Sequence, residues 1–336
     1  MPDLLQPGPL LSLPLLHSAG GALEADLREW TRSRPLTLVL PCHVRDQDGP
    51  ALEEIVATLA SVPWVSHIIV GLDGADVDAP DTDGDIFRPL GIGTRCTVMR
   101  RLGPPGKGGN LAACVELALS RDPEPFAVVM HDCDIASYSR EFLARLCWPV
   151  LHPDAGMAVC KGAYARSASG LHGRVFRLLF QPLLRTWAER CPSPWTAFLQ
   201  ALRYPLSGEL CARADVLRSL EFSSGWGVEV KMLHGLFRNP GPASICQAEL
   251  CPAYDHKHQA PQDLIAMAAE VAAALQDSMT AEGVAADPAE LRTAFRKHSA
   301  RAVRDSLLTA RINGLPADAA AEQQLADAFS AAVFPT

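Results

Sequence analysis

Between residues 36 and 130 the chain alternates short, mostly apolar runs with stretches whose apolar residues recur at helical spacing, and few folds accommodate that order. The runs are Leu36 to Leu40, Val65 to Val70, Thr97 to Met99 and Phe126 to Met130. Between the first two, Leu52, Ile55, Val56 and Leu59 fall at i, i+3, i+4 and i+7, one face of a helix, and Leu111 to Leu119 is a second helical stretch. A strand without polar alternation is buried on both faces, so strand and helix in turn imply a mostly parallel sheet covered by helices on both sides. The expected class is α/β. Further along, the pattern predicts helices near 140 to 147, 171 to 190 and 228 to 238, and strands near 157 to 161 and from Ile245 to Leu250. The segment after residue 260 is alanine-rich and helical, with Leu264, Ala268, Val271 and Leu275 on one stripe.

Charge excludes some partners. A formal net charge of −8 on 336 residues gives no footprint for phosphate backbones or anionic lipid, so neither nucleic acid nor a membrane is expected as a partner. The N-terminal stretch lacks a basic region, carries Asp3 and is interrupted by Pro7, Pro9 and Pro14, which fits neither a signal peptide nor a spanning helix. Ten scattered cysteines without a Cys-x-x-Cys pair read as reduced thiols, and a cytoplasmic location is expected.

Parallel sheets bind ligands beyond the carboxyl ends of their strands, which directs attention to "PCHVRDQD" (41 to 48), "GLDGAD" (71 to 76) and "HDCDIAS" (131 to 137). In extended backbone, residues two apart point the same way, so Asp132 and Asp134 can converge on one spot. Two carboxylates that close repel unless a cation joins them, and magnesium or manganese suits such oxygen donors; ordinary loop polarity is the competing explanation. "GPPGKGGN" (103 to 110) sets Lys107 among glycines before a helix, where a phosphate can rest, although the Walker spacing is absent and a turn with a solvated lysine explains it as well. "YDHKHQ" offers His256 and His258 as distant metal ligands or as surface polarity. Glu209 and Glu229 each follow a glycine closely, as sugar-binding carboxylates do, and as first-turn helix charges also do. Lys161, Arg166, Arg174, Arg177 and Arg185 form either a solvated face or a clamp for a small anion.

Taken in order, "LVLPCH", "GKGGN", "HDCDI", "KGAYAR", "GRVFRLLFQPLL", "PLSGEL", "GWGVEV" and "DHKH" resemble the GT-A nucleotide-sugar glycosyltransferases, specifically the retaining glucosyl- and mannosyl-3-phosphoglycerate synthases, over about residues 36 to 259. The resemblance implies a Rossmann-like GT-A sheet with a helical C-terminal appendage. It implies an N-terminal helical segment (1–34), a catalytic domain (35–260, with a nucleotide-binding half to 135 and an acceptor and sugar half from 136) and the appendage (261–336). By this likeness Asp134 binds Mg2+ or Mn2+ with Asp132 and His256. Lys107, Asp73 and the Pro41 to Asp46 loop serve the nucleotide, Glu229 the sugar pocket with Gly208 and Glu209 nearby, and Arg174, with Lys161 and Arg166, the acceptor. The implied activity moves glucose or mannose from a nucleoside diphosphate to a small hydroxy acid such as 3-phosphoglycerate or glycerate, with retention, in compatible-solute synthesis. Its partners are a small-molecule donor and acceptor, with a homodimer as the oligomeric expectation.

Two departures qualify the likeness. The family's first-strand loop carries Asn-Glu-Glu, whereas this chain has Val44, Arg45 and Asp46, so Asp46 alone can play the acidic part. Two residues beyond Arg174 the family has a small hydroxyl residue; here Phe176 cannot hydrogen-bond a phosphate, which leaves room for glycerate. Two rivals stand beside the transferase: a sugar-nucleotide-forming nucleotidyltransferase, whose glycine-rich loop should follow the first strand, and a sugar-nucleotide-binding protein without turnover.

Overall fold

The computed structural model describes residues 10–74, 85–101, 105–167, 170–255 and 261–334. Eight strands form one sheet: β1 (Leu11–Leu13), β2 (Leu36–His43), β3 (His67–Asp73), β4 (Cys96–Arg100), β5 (Ala127–Met130), β6 (Val159–Ala163), β7 (Leu210–Arg213) and β8 (Ile245–Glu249). Their order is β1-β8-β6-β7-β5-β2-β3-β4. Among these strands only β7 runs against its neighbours, pairing antiparallel with β5 and β6. The helices are α1 (Ala22–Trp30), α2 (Pro50–Ala60), α3 (Lys107–Leu119), α4 (Arg140–Leu151), α5 (Gln181–Arg190), α6 (Pro194–Ala201), α7 (Ala214–Leu217), α8 (Val228–Arg238), α9 (Pro261–Ala281), α10 (Pro288–Ile312) and α11 (Ala319–Val333).

The apolar runs become strands as expected, central in β2, β3 and β5 and at the sheet edge in β4. In β2, Leu36, Leu38 and Leu40 face one apolar cluster, shared with α1, α2 and α4, while Val39 faces another, shared with α3 and α8. Each such side chain, fully withdrawn from water, contributes about 2 kcal/mol. The helical stripe Leu264, Ala268, Val271 and Leu275 of α9 enters the same cluster as Val39, together with Phe295 of α10 and Phe329 of α11. The C-terminal helices therefore share the core of the sheet.

Three elements differ from the sequence pattern. The N-terminal segment carries not only α1 but the strand β1, which pairs with β8 at the sheet edge; three residues beside prolines leave no periodicity to read. Strand β7 starts at the end of "PLSGELCA", too short and too closely preceded by polar residues to stand out. The helix expected over 171 to 190 begins only after Gly173, which adopts φ +69°, and passes through a π-helical turn, Phe176–Phe180, before α5. Among the described residues no helix is long and apolar enough to cross a membrane.

The chain passes from β2 outward to β3 and β4, then returns to the other side of β2 as β5. Such a reversal opens a crevice beyond the strand ends.

Candidate active site

Pro41, Asp46, Asp73, Lys107, Asp132, Asp134, Arg166, Arg174 and Glu229 line one cavity of about 440 Å³ over that crevice. Its floor comes from strand ends. Asp73 closes β3 and accepts the Gly106 amide at 2.6 Å and the Arg101 guanidinium at 3.1 Å. Asp132 and Asp134 follow β5, with the buried His131 ring behind them holding the Tyr138 hydroxyl at 3.1 Å. Burial pushes that imidazole down to about 4, so it stays neutral.

Lys107 is the first residue of α3, and its ammonium lies 2.9 Å from Asp132 and 2.8 Å from Glu229. Burial opposes its charge, but the two carboxylates outweigh that and hold it well above the ordinary lysine range. It also stands 5.9 Å over the Trp226 ring. It is therefore not the solvated lysine of a loose turn. The glycines around it serve close packing rather than a free phosphate cradle. The Gly106 amide is taken by Asp73 and the Gly109 amide by the Ser224 carbonyl at 2.9 Å. A Cβ on Gly108 would meet the Ser223 carbonyl at 1.9 Å.

Asp134 is pushed up to about 7, first by burial and then by the neighbouring Asp132, against the pull of Lys107. Two neighbouring carboxyls, one of them raised by burial and by the charge of the other, offer oxygen donors that fit a hard divalent cation. No group of three His, Cys, Asp or Glu side chains forms a ready-made cation site among the described residues. The expected third ligand, His256, and its neighbour His258 lie outside the described residues. The chain approaches them at Asp255, whose carbonyl accepts the amide of Ala136, two residues past Asp134.

Three expected residues do not line the cavity. Lys161 is buried in β6, where its ammonium is held by the carbonyl and hydroxyl of Ser207, so it braces the neighbouring strands without lining the cavity. Burial lowers it to about 8. Glu209 is also buried, accepting the hydroxyls of Tyr164 at 2.6 Å and Tyr254 at 2.8 Å, and burial raises its pKa. Gly208 contributes space: a Cβ there would lie 2.7 Å from the Asp132 carboxylate.

Arg166 and Arg174 line the same cavity with His172, Phe176 and Tyr204. Arg166 donates to the Tyr204 hydroxyl at 3.3 Å, and the Phe176 ring packs 4.7 Å from that of Tyr204. His43, within the expected Pro41 to Asp46 loop, and Asn110, which sequence reasoning did not single out, both line the cavity. Asn110 donates to the carbonyls of Cys42 (3.3 Å) and Gly71 (2.9 Å), tying α3 to the ends of β2 and β3; its signal was the last letter of "GKGGN". His43 packs where Gly74, at φ +75°, leaves room for its ring. Leu264, Met267 and Val271 of α9 complete the wall.

No protein-family model matches the chain. The glucosyl-3-phosphoglycerate synthase of Persephonella marina is 30% identical over 98% of this chain and 88% of its own length. Among solved structures, the glucosyl-3-phosphoglycerate synthase of Mycobacterium tuberculosis in complex with Mn2+, UDP-glucose and phosphoglyceric acid superposes with a TM-score of 0.65 at 25% identity, covering 84% of this chain and 90% of that one. The same enzyme with Mg2+ and UDP gives a TM-score of 0.63 at 24% identity, covering 83% and 88%.

Proposed function

The chain belongs to the glucosyl-3-phosphoglycerate synthase family, and from that membership and the chemistry of its cleft we propose that it transfers glucose from a nucleoside-diphosphate sugar such as UDP-glucose to a small hydroxy acid, 3-phosphoglycerate or glycerate. It is a metal-dependent GT-A glycosyltransferase. One observation carries the proposal: a single cavity is lined by two sets of groups, paired acids with a buried lysine, and two arginines. The first set suits a cation and a diphosphate, the second an acidic acceptor.

Asp134, with Asp132 and His256, would hold Mg2+ or Mn2+. When bound, the ion supplies charge that stabilises the departing diphosphate. Lys107, kept fully charged by its carboxylates, adds a second positive centre on the same side. Asp73 and Asp46, with Pro41, serve the nucleoside. Glu229, fixed in the first turn of α8 and paired with Lys107, orients the sugar ring. Arg174 and Arg166 hold the acceptor's acid group. By family likeness the anomeric configuration is retained. Phe176 narrows the acceptor end with a surface that offers no hydrogen bond, which favours glycerate as an acceptor beside the phosphorylated acid. All ten cysteines are free thiols, in keeping with a cytoplasmic enzyme.

Strand β2 leads into a 3-10 turn, Val44–Asp46, without a glycine, which disfavours the nucleotidyltransferase alternative. Incubation of the protein with UDP-glucose and other nucleotide sugars, each with glycerate or 3-phosphoglycerate and Mn2+ or Mg2+, should give a glycoside detectable by mass. Asp134→Ala should lower the rate by about 10³-fold with the fold intact, since charge stabilisation at the leaving group is the main source of acceleration. Binding of nucleotide sugar without product in any pairing would favour the non-catalytic reading.

A further inference from the structure

Besides the apolar wall that α9 gives the cleft, the C-terminal helices reach its surroundings through two carboxylates, Glu270 and Glu322. The loop from Ser223 to Gly227 carries Trp226 into the cavity and leads to Glu229, and its two glycines make a notch. A Cβ on Gly225 would lie 1.9 Å from the Glu270 carboxylate, and one on Gly227 would lie 2.7 Å from the Ala274 methyl. Through that notch Glu270 of α9 accepts the Trp226 amide at 2.7 Å. Two residues earlier, the Ser224 carbonyl accepts the Gly109 amide at 2.9 Å, in the first turn of α3. The contacts therefore run unbroken from α9, through the loop, to the helix that begins with Lys107.

At the acceptor end, Arg177 of the π-helical turn donates to the carbonyls of His172 at 2.8 Å and Leu171 at 3.1 Å, gripping the segment that leads into Arg174. The rest of its guanidinium is held by Glu322 of α11, at 2.6 and 2.9 Å, and by Ser306 of α10 at 2.6 Å. A bidentate pair of this kind, with both partners largely buried, fixes orientation as well as position.

We propose that Glu270 and Glu322 are positioning residues with separate duties. Glu270 sets Trp226 and Lys107 and so governs the donor end; Glu322, acting through Arg177, sets the segment before Arg174 and so governs the acceptor end. The proposal rests on the transferase reading for the identity of the ligands, and its test separates the two. Glu270→Ala and Glu322→Ala are compared with Glu282→Ala and Glu189→Ala. The latter two break ties to His234 (2.8 Å) and His298 (2.9 Å), which join the same C-terminal helices to the body without lining the cavity.

Calorimetry with UDP plus Mn2+, and with 3-phosphoglycerate, is run beside steady-state kinetics and thermal unfolding. Misplacement of a clamp by a fraction of an ångström costs about tenfold, so Glu270→Ala should weaken UDP binding about tenfold with 3-phosphoglycerate affinity unchanged, and Glu322→Ala should do the reverse. Glu270→Gln, whose amide oxygen still accepts the Trp226 N–H, should restore UDP binding. The two controls should lower Tm alone. Wild-type affinities in both alanine variants, or loss of both ligands together in each of them, would overturn the proposal. Wild-type protein that binds both ligands selectively but makes no glycoside would sink the transferase reading and leave the two clamps standing; wild-type protein that binds neither would overturn both.

Discussion

Asp73, Asp132 and Lys107 sit at the end of a strand, two residues past one and at the first position of a helix, whereas Arg166, His172 and Arg174 depend on a loop whose carbonyls are gripped by Arg177. In the proposed assignment the donor end is built on strand ends and the start of α3, with Glu270 of α9 bracing Trp226 beside them. The proposed acceptor end takes its shape from side chains on α10 and α11, far away in sequence. The difference teaches that the two proposed substrate ends are held by different parts of the fold. A chain can alter the acceptor end, as Phe176 does, without disturbing the cation and diphosphate chemistry.

The comparison can be broken from the donor side first. Lys107→Met leaves Asp132 and Glu229 facing one another without their shared cation, and should lower kcat by about 10²-fold with acceptor KM little changed, measured in steady state. An equal rise in acceptor KM would mean that the two ends are not independent. Phe176→Thr should act at the acceptor end alone. Replacing the ring with a hydroxyl should raise the ratio of kcat/KM for 3-phosphoglycerate over glycerate about tenfold, with KM for the donor unchanged. No change in that ratio would remove Phe176 as a determinant of the acceptor.

The smallest effect concerns a donor-half residue away from the cleft. His67, which opens β3 and meets the Thr97 hydroxyl at 2.9 Å, is pushed from 6.5 to about 4, chiefly by burial. Because the unfolded chain binds the proton more readily, this group's stabilising contribution is complete above about 6.5 and is lost as the pH falls towards 4. His67→Gln should flatten the decline of Tm over that window and leave kinetics at neutral pH untouched. A steeper acid decline in the variant would contradict this assignment.

The legible parts were those where physics acts locally. Strands β2, β3 and β5 announce themselves because burial on both faces forbids polar alternation, and Asp132, Asp134 and Lys107 because charges at element ends invite ligands. Strand β1, three residues at an edge, carries no such pattern. Lys161 was grouped with the arginines because composition does not reveal direction. Its place inside β6, paired on both sides, turns the ammonium toward Ser207 and away from any substrate. Glu209 looked like a sugar ligand, yet its two tyrosine partners come from residues that only the fold brings together. Arg177 and Glu322 are unremarkable letters until α11 docks.

The notch made by Gly225 and Gly227 has a consequence for the order in which the chain is made. A ribosome releases every strand and the loop itself before α9 emerges, so Glu270 can reach the Trp226 amide only once the segment after residue 260 has been made. A chain stopped before α9 would lack both that plug and the apolar stripe that α9 adds to the core.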